Sequence, residues 1–78
     1  MVTPEQVQSY IENGLESSAV RVVGDGEHFE ALVVSEAFRG KSRVQRHQLV
    51  YAALGERMRE EIHALSLRTL TPEEAADG

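Results

Sequence analysis

The sequence contains no cysteine and no tryptophan, and only 5% of its 78 residues are aromatic. Without thiols the chain can form neither a disulfide nor a thiolate metal site, so neither kind of cross-link stabilises it. A domain of this length buries only a modest share of its surface. We therefore expect one compact domain over residues 1–78 whose stability depends on its apolar core.

Long apolar runs are also missing. No stretch approaches the length of about 20 residues that a membrane-spanning helix needs, and the N-terminus lacks the basic and then apolar pattern of a secretory signal. From these absences we expect a cytoplasmic protein with no membrane partner. The formal net charge of −5 argues against tight non-specific binding to nucleic acid, because such binding depends on neutralising phosphates.

No recognised catalytic motif is present. The chain has no cysteine nucleophile, no G-x-S-x-G elbow and no phosphate-binding P-loop. The acidic pairs Glu60-Glu61 and Glu73-Glu74 are adjacent in the chain. Neighbours on a helix diverge by about 100°, so neither pair is suited to act as acid and base on one substrate. We expect the protein not to be an enzyme.

The first half of the chain predicts one helix and a β-hairpin. Thr3-Pro4-Glu5-Gln6 can begin a helix, since threonine caps, proline fits the first helical position and glutamine can complete a capping box. Residues 20–23 and 28–34 alternate in the way that is typical of strands. The turn Gly24-Asp25-Gly26 between them favours a hairpin.

The second half predicts a helical turn at 35–38, a long helix over 42–62, a strand over 63–67 and a short helix from Thr71-Pro72-Glu73-Glu74. Gly55 interrupts the long helix at a cost of about 1 kcal/mol. Apolar or aromatic side chains spaced three and four apart are expected to form its buried face: Val44, His47, Tyr51, Leu54, Met58 and Ile62. Val50 and Ala53 are expected to widen this face.

The resulting order of elements is α-β-β-α-α-β-α. Three strands with helices on one face form an α+β two-layer sandwich, in which each element buries its apolar side against the other layer. The opposite face of the sheet is expected to be partly exposed to water.

Half of the eight basic residues lie within eight positions of the chain: Arg39, Lys41, Arg43 and Arg46. Three of them lie around the start of the predicted long helix, where each positive charge opposes the helix dipole at a cost of about 0.3–1 kcal/mol. A role in binding DNA or a protein partner would justify that cost. The alternative is a solvated loop whose cations pair with acids such as Glu36.

The three histidines are scattered along the chain. His28 follows the hairpin turn, His47 lies on the apolar face of the long helix, and His63 begins the last strand. Their spacing does not define a metal site, and the pattern favours hydrogen-bonded residues in or beside the core. A neutral imidazole is nevertheless a good ligand for iron, and a histidine at a strand end is well placed to face a partner.

Several segments resemble the BolA family. The similar segments are 38–40 (FRG), 44–51 (VQRHQLVY), 62–72 (IHALSLRTLTP) and 28–35 (HFEALVVS). Together they cover nearly the whole chain, and their combination is far more specific than any one of them. The short hairpin loop is most similar to the compact bacterial branch, the IbaG-like acid-stress group. The resemblance implies a fold like the class II KH domain, which agrees with the order of elements.

The resemblance also implies a partner and a cofactor. Family members pair with monothiol glutaredoxins, and a bridging two-iron, two-sulfur cluster takes a histidine ligand from the BolA-like protein, which is His63 here. A second family ligand comes from the loop between the first two strands, where His28 is the sole candidate. The leading hypothesis is a non-enzymatic adaptor that co-ligates the cluster with glutaredoxin. We expect the isolated domain to be monomeric and to hold no cluster.

DNA binding and transcriptional regulation, which are attributed to some members, are the alternative. KH domains clamp the nucleic-acid backbone with a G-x-x-G loop. The corresponding stretch is Gly40-Lys41-Ser42-Arg43, in which arginine replaces the second glycine. Arg43 and Arg46 are expected to project toward a partner, whereas His47 and Tyr51 are expected to have structural roles in the helix.

Overall fold

The computed structural model describes residues 1–17 and 19–77 as helices packed on a three-stranded sheet. The helices are α1 (Pro4–Gly14), α2 (Arg43–Leu54), α3 (Glu56–Glu60) and α4 (Pro72–Asp77), with a 3-10 turn at Glu36–Phe38. The strands are β1 (Ala19–Gly24), β2 (His28–Val34) and β3 (Ala64–Leu70), in that spatial order. β1 is antiparallel to β2, and β3 is parallel to it. The predicted α+β fold and order of elements are confirmed.

Helix α1 begins where the sequence predicts. The Thr3 Oγ1 atom accepts from the Gln6 N–H at 3.1 Å, and the Gln6 Oε1 atom accepts from the Thr3 N–H at 2.9 Å. This capping box satisfies two backbone donors that the first turn would leave free. Val7 and Ile11, one turn apart, are fully buried against the sheet layer.

The sheet has one covered face and one open face, as expected. The covered face is built from alternate residues of the hairpin: Val20, Val22, Phe29, Ala31 and Val33, all buried. On the opposite face Arg21, Val23, Glu30 and Arg68 are exposed. Two-layer packing therefore uses only one side of the sheet. Within the described residues, no helix has the length and apolar character needed to cross a membrane.

The prediction of one continuous helix over 42–62 is wrong. Gly55 adopts φ 59° and ψ −135°, a conformation that side chains disfavour, and it separates α2 from α3. The predicted buried face is also wrong in part, because Val44 is 65% exposed and Tyr51 is 39% exposed. Val50 and Leu54, both expected on the buried face, are the buried residues of α2, so the face that packs on the core includes the Val50 flank and leaves out Val44 and Tyr51.

Helices α1 and α2 approach each other closely at Gly14. A methyl group added at Gly14 would lie 2.7 Å from the backbone oxygen of Ala53 and 2.8 Å from its Cα. Gly14 therefore permits a contact that any larger residue would obstruct. With Ala53 turned toward α1, the neighbouring Leu54 is directed into the core, where it is 2% exposed.

Candidate functional site

Two of the histidines meet at one end of the sheet. His28 begins β2 and pairs in parallel register with Ala64, the first residue of β3. His63 directly precedes this strand rather than opening it, and its ring centroid lies 6.1 Å from that of His28, with the rings at 88° to each other. Both residues are exposed. The structure thus brings together two histidines that are 35 positions apart in the sequence.

The hairpin turn fixes the position of His28. The Asp25 carboxylate accepts from the N–H groups of His28 and Glu27, each at 2.9 Å. These hydrogen bonds lower the pKa of Asp25, because they stabilise its ionised form. The Glu27 carbonyl in turn accepts from the Ala64 N–H at 3.0 Å, which joins the turn to the start of β3.

Contacts of α3 and of Glu61, the residue after it, fix the backbone that leads to His63. The Tyr10 hydroxyl of α1 donates to the Glu61 carboxylate at 3.1 Å, and this hydrogen bond raises the pKa of Tyr10. The Arg57 guanidinium carbon lies 4.0 Å from the centroid of the Tyr10 ring, within cation–π distance. Ile62 is buried at 4% exposure beside His63. These contacts fix the backbone on the N-terminal side of the exposed imidazole.

The donor set at this end of the sheet is incomplete for a metal centre. Among residues 1–17 and 19–77, no group of three or more histidine, cysteine or acidic residues is placed to hold a metal ion. Two imidazoles match the pair of histidines that replaces two cysteines on one iron in some two-iron, two-sulfur centres. His28 and His63 therefore fit a cluster whose other ligands come from a second molecule.

The four basic residues of the sequence cluster do not form one free patch. Arg39 forms an ion pair with Glu36, and a second one with Glu73 at 3.8 Å. The Glu36 partner is the one expected for a solvated loop, and the pairing lowers the pKa of Glu36 and raises that of Arg39. Both side chains of this pair are more than half exposed, so it contributes little to stability.

The expectation that Arg46 projects toward a partner is wrong. Its guanidinium donates to Glu74 at 2.7 and 3.3 Å and to the Thr69 carbonyl at 3.2 Å, and only 14% of the side chain is exposed. Glu74 also accepts from the Thr71 N–H at 2.8 Å, and these contacts lower the pKa of Glu74 to about 2. Arg46 thus joins α2 to β3 and α4.

Lys41 and Arg43 remain exposed, and no carboxylate of the described residues lies within ion-pair distance of either. They border a groove of about 640 Å³ between the start of α2 and the outer edge of β3. Arg68 lines the same groove from β3. The sequence interpretation missed Arg68, although its alternation with Leu67 and Thr69 already placed its side chain on the open face of the sheet.

In the Gly40–Arg43 loop, the Ser42 backbone N–H group, which a phosphate-binding loop would offer to a phosphate, already bonds within the chain. Gly40 adopts φ 76°. The Ser42 hydroxyl caps α2 by accepting from the Gln45 N–H at 3.2 Å, while the Gln45 side chain accepts from the Ser42 N–H at 2.9 Å. These backbone donors are therefore already occupied by the capping box.

His47 and Tyr51 contact each other one turn apart on α2, with ring centroids at 6.5 Å and an interplanar angle of 77°. His47 is half-buried and also lines the groove beside β3. Tyr51 is exposed at the helix surface. The contact supports a local packing role for His47, whereas Tyr51 lies outside the core in which the sequence placed it.

Known proteins are similar to this chain in both sequence and fold. The family model described as "BolA-like protein" matches residues 4–74. The chain belongs to the BolA family. It is 43% identical over 72 residues to "Acid stress protein IbaG" of Escherichia coli strain K12, with 91% of this chain and 86% of that protein covered.

Two further BolA proteins extend the comparison. Over 51 residues the chain is 45% identical to "DNA-binding transcriptional regulator BolA" of Haemophilus influenzae, with 65% of this chain and 50% of that protein covered. The solved structure of a bolA protein homologue from Coxiella burnetii matches with a TM-score of 0.86 and 48% identity, covering 97% of this chain and 99% of that chain. The BolA relatives thus carry names of stress and regulatory proteins.

Proposed function

We propose that this BolA-family protein is a non-enzymatic adaptor that binds a monothiol glutaredoxin and shares a two-iron, two-sulfur cluster with it. The observation that carries the proposal is the adjacency of the exposed rings of His28 and His63, 6.1 Å apart. His63 is the ligand that the resemblance of IHALSL to the family motif implies. His28 is the neighbouring imidazole that can act as the second ligand.

The chemistry of the donors requires a partner. Iron–sulfur clusters are normally held by cysteine thiolates. In the two-iron, two-sulfur centres that use histidine, two histidines replace two cysteines on one iron, and cysteines hold the other iron. This chain offers two imidazoles at the site and has no cysteine. The thiolates for the other iron must therefore come from the second protein, which is the chemistry that a thiol-containing glutaredoxin supplies. The role of this chain is to present the two imidazoles from a fixed, exposed position.

The name of the IbaG relative indicates the setting in which such an adaptor acts. We extend the proposal to iron–sulfur handling during a stress response.

Mixing the purified protein with cluster-loaded monothiol glutaredoxin tests the proposal. A coloured hetero-complex is expected, with a visible absorption and circular dichroism spectrum different from that of glutaredoxin alone. His63→Ala is expected to abolish or alter that spectrum, and His28→Ala to alter it. His47→Ala is the matched control, because it removes an imidazole on α2 and is expected to leave the spectrum unchanged. An unaltered spectrum in both His63→Ala and His28→Ala would remove them from the ligand set.

DNA binding, the alternative suggested by the name of the Haemophilus influenzae relative, has weaker support. Two of the four basic residues, Arg39 and Arg46, already pair with carboxylates of the same chain. Lys41 and Arg43 remain for phosphate contacts, with Arg68 across the groove. A chain with a net charge of −5 and so few free cations is expected to bind duplex DNA only weakly near physiological salt.

A further inference from the structure

The outer edge of β3 carries unpaired backbone groups. β3 is the last strand of the sheet, and among residues 1–17 and 19–77 only β2 pairs with it. At the two ends of this pairing the Ala64 N–H donates to Glu27 at 3.0 Å and the Leu70 carbonyl accepts from the Ser35 N–H at 2.9 Å. The backbone N–H and C=O groups of the even-numbered residues of β3 therefore point toward β2. Because the backbone groups of successive residues in a strand point to opposite edges, those of the odd-numbered residues point outward, away from the sheet.

The odd-numbered residues are Leu65, Leu67 and Thr69. The Thr69 carbonyl confirms the orientation, since it accepts from Arg46 on the outer side of the strand at 3.2 Å. No backbone or side-chain group within the described residues bonds to the outward N–H or C=O groups of Leu65 and Leu67. The open edge thus extends from Leu65 to the N–H of Thr69, where Arg46 closes it. Such an edge is a template for another strand.

The groove beside this edge has a positive rim. Lys41 and Arg43 lie on the α2 side, and Arg68 points from β3. None of the three has an ion-pair partner in the described part of the chain. The carboxylate in the groove, Glu74, is already bound to Arg46. An occupant of the groove therefore meets both a backbone ladder and unneutralised positive charge.

We propose that an extended acidic segment of a partner protein adds to the edge of β3 as a fourth strand. Its backbone pairs with Leu65 and Leu67. Because side chains alternate between the faces of a strand, its acidic residues on the helix side face Lys41 and Arg43 and those on the open side of the sheet face Arg68. This mode of recognition derives affinity from main-chain hydrogen bonds and specificity from side chains at alternate positions. It goes beyond the cluster-sharing function, because it uses neither His28 nor His63.

Two alternative occupants, a second copy of this chain and a nucleic-acid strand, fit the edge of β3 less well. A second copy of this chain, paired through the same edge, would bring its own Arg68 and Arg43 to the interface, and β3 contains no acidic residue to offset them. A nucleic-acid strand would match the positive rim, but its sugar-phosphate backbone has no alternating N–H and C=O groups to continue the ladder of the sheet.

The probe is a blocked heptapeptide, Val-Glu-Glu-Val-Glu-Glu-Val, whose glutamates lie on both faces of an extended strand; it is added to the ¹⁵N-labelled protein. Binding is expected to shift the amide signals of Leu65, Leu67 and Thr69 and to protect these amides from hydrogen exchange. The same peptide with lysine in place of each glutamate, and the glutamate peptide with every backbone nitrogen methylated, are the matched controls and are expected not to bind. The double substitution Arg43→Gln with Arg68→Gln is expected to weaken binding by about fivefold at low salt, the effect of losing two exposed ion pairs.

The control variant is Arg21→Gln with Arg59→Gln, which removes two exposed arginines that do not line the groove. It is expected to bind the glutamate peptide as the unmodified protein does. Three results would overturn the proposal: no shift at Leu65 and Leu67 at millimolar peptide, tighter binding of a thymidine octanucleotide at the same residues, or concentration-dependent dimerisation through β3. Failure of cluster sharing would leave these outcomes unaffected, so the two proposals are tested separately.

Discussion

The contact between α1 and α2 at Gly14 predicts that a favourable helix substitution will destabilise the protein. Gly14 is the last residue of α1, so Gly14→Ala would by itself improve helix propensity by at most about 1 kcal/mol. The added methyl group would lie 2.7 Å from the oxygen, 2.8 Å from the Cα and 2.8 Å from the Cβ of Ala53. Non-bonded carbon atoms normally approach to only about 3.5–4.0 Å, so one helix must move.

The relative size of two terms decides whether Gly14→Ala raises or lowers the stability of the protein. Forcing an extra methylene-sized group into a well-packed contact costs about 1–3 kcal/mol, and the atoms in the way are mainly backbone atoms that cannot rotate aside. Even after the largest gain in propensity, about 1 kcal/mol, a net loss of up to about 2 kcal/mol remains. In a domain of this size, 1 kcal/mol corresponds to a shift in melting temperature of about 4–8 °C.

Urea unfolding followed by circular dichroism measures the loss of stability, and thermal unfolding checks it. Asn13→Ala, at the exposed neighbouring position of the same helix, is the matched control and is expected to change stability by only a few tenths of a kcal/mol. If Gly14→Ala is as stable as the unmodified protein or more stable, the close approach of α1 to Ala53 is refuted.

The remaining predictions concern α2 and the basic residues. Leu54→Ala, which truncates a side chain only 2% exposed, is expected to cost about 2–5 kcal/mol in urea unfolding, whereas Val44→Ala on the exposed side of α2 is expected to be nearly neutral. Equal losses would mean that α2 is oriented differently. The lowered pKa of Glu74 stabilises the fold above its ordinary value of 4.5, and this contribution is lost as pH falls toward about 2. Glu74→Gln is therefore expected to be less stable than the unmodified protein at neutral pH, with the difference shrinking below pH 4.5; a constant difference would contradict the ion pair with Arg46. In DNA titrations, two loop cations give a slope of log affinity against log salt of about −2, which Arg43→Gln reduces by about one unit while Arg46→Gln does not. An equal effect of Arg46→Gln would show that Arg46 contacts phosphate.

Local chemistry made part of the fold predictable from the sequence. The start of α1 follows from a capping box within four residues, and the hairpin follows from alternation on either side of a turn held by Asp25. The division of the long helix was not predicted, because a single glycine inside a helical pattern is usually tolerated. Only the φ of 59° at Gly55 distinguishes a break from a tolerated glycine. The close approach of α1 to α2 was not predicted because Gly14 and Ala53, which meet there, lie far apart in the chain.

The candidate site was predictable only in its residue types. His63 was singled out by a sequence resemblance, but its proximity to His28 depends on the parallel pairing of β2 with β3 across the intervening helices. The same reason explains the error at Arg46. Its partner Glu74 lies 28 residues away, and nothing in the local pattern around Arg46 distinguishes an internal ion pair from a solvent-directed charge.

Pulsed electron paramagnetic resonance of the reduced complex with glutaredoxin tests the central claim most directly. With ¹⁵N-histidine incorporated only into this protein, the account predicts couplings to the cluster from two histidine nitrogens. His28→Ala and His63→Ala are each expected to remove one of them, while His47→Ala leaves both in place. A cluster with no ¹⁵N coupling, or couplings that persist in the variant lacking both His28 and His63, would contradict the assignment of these two residues as its ligands.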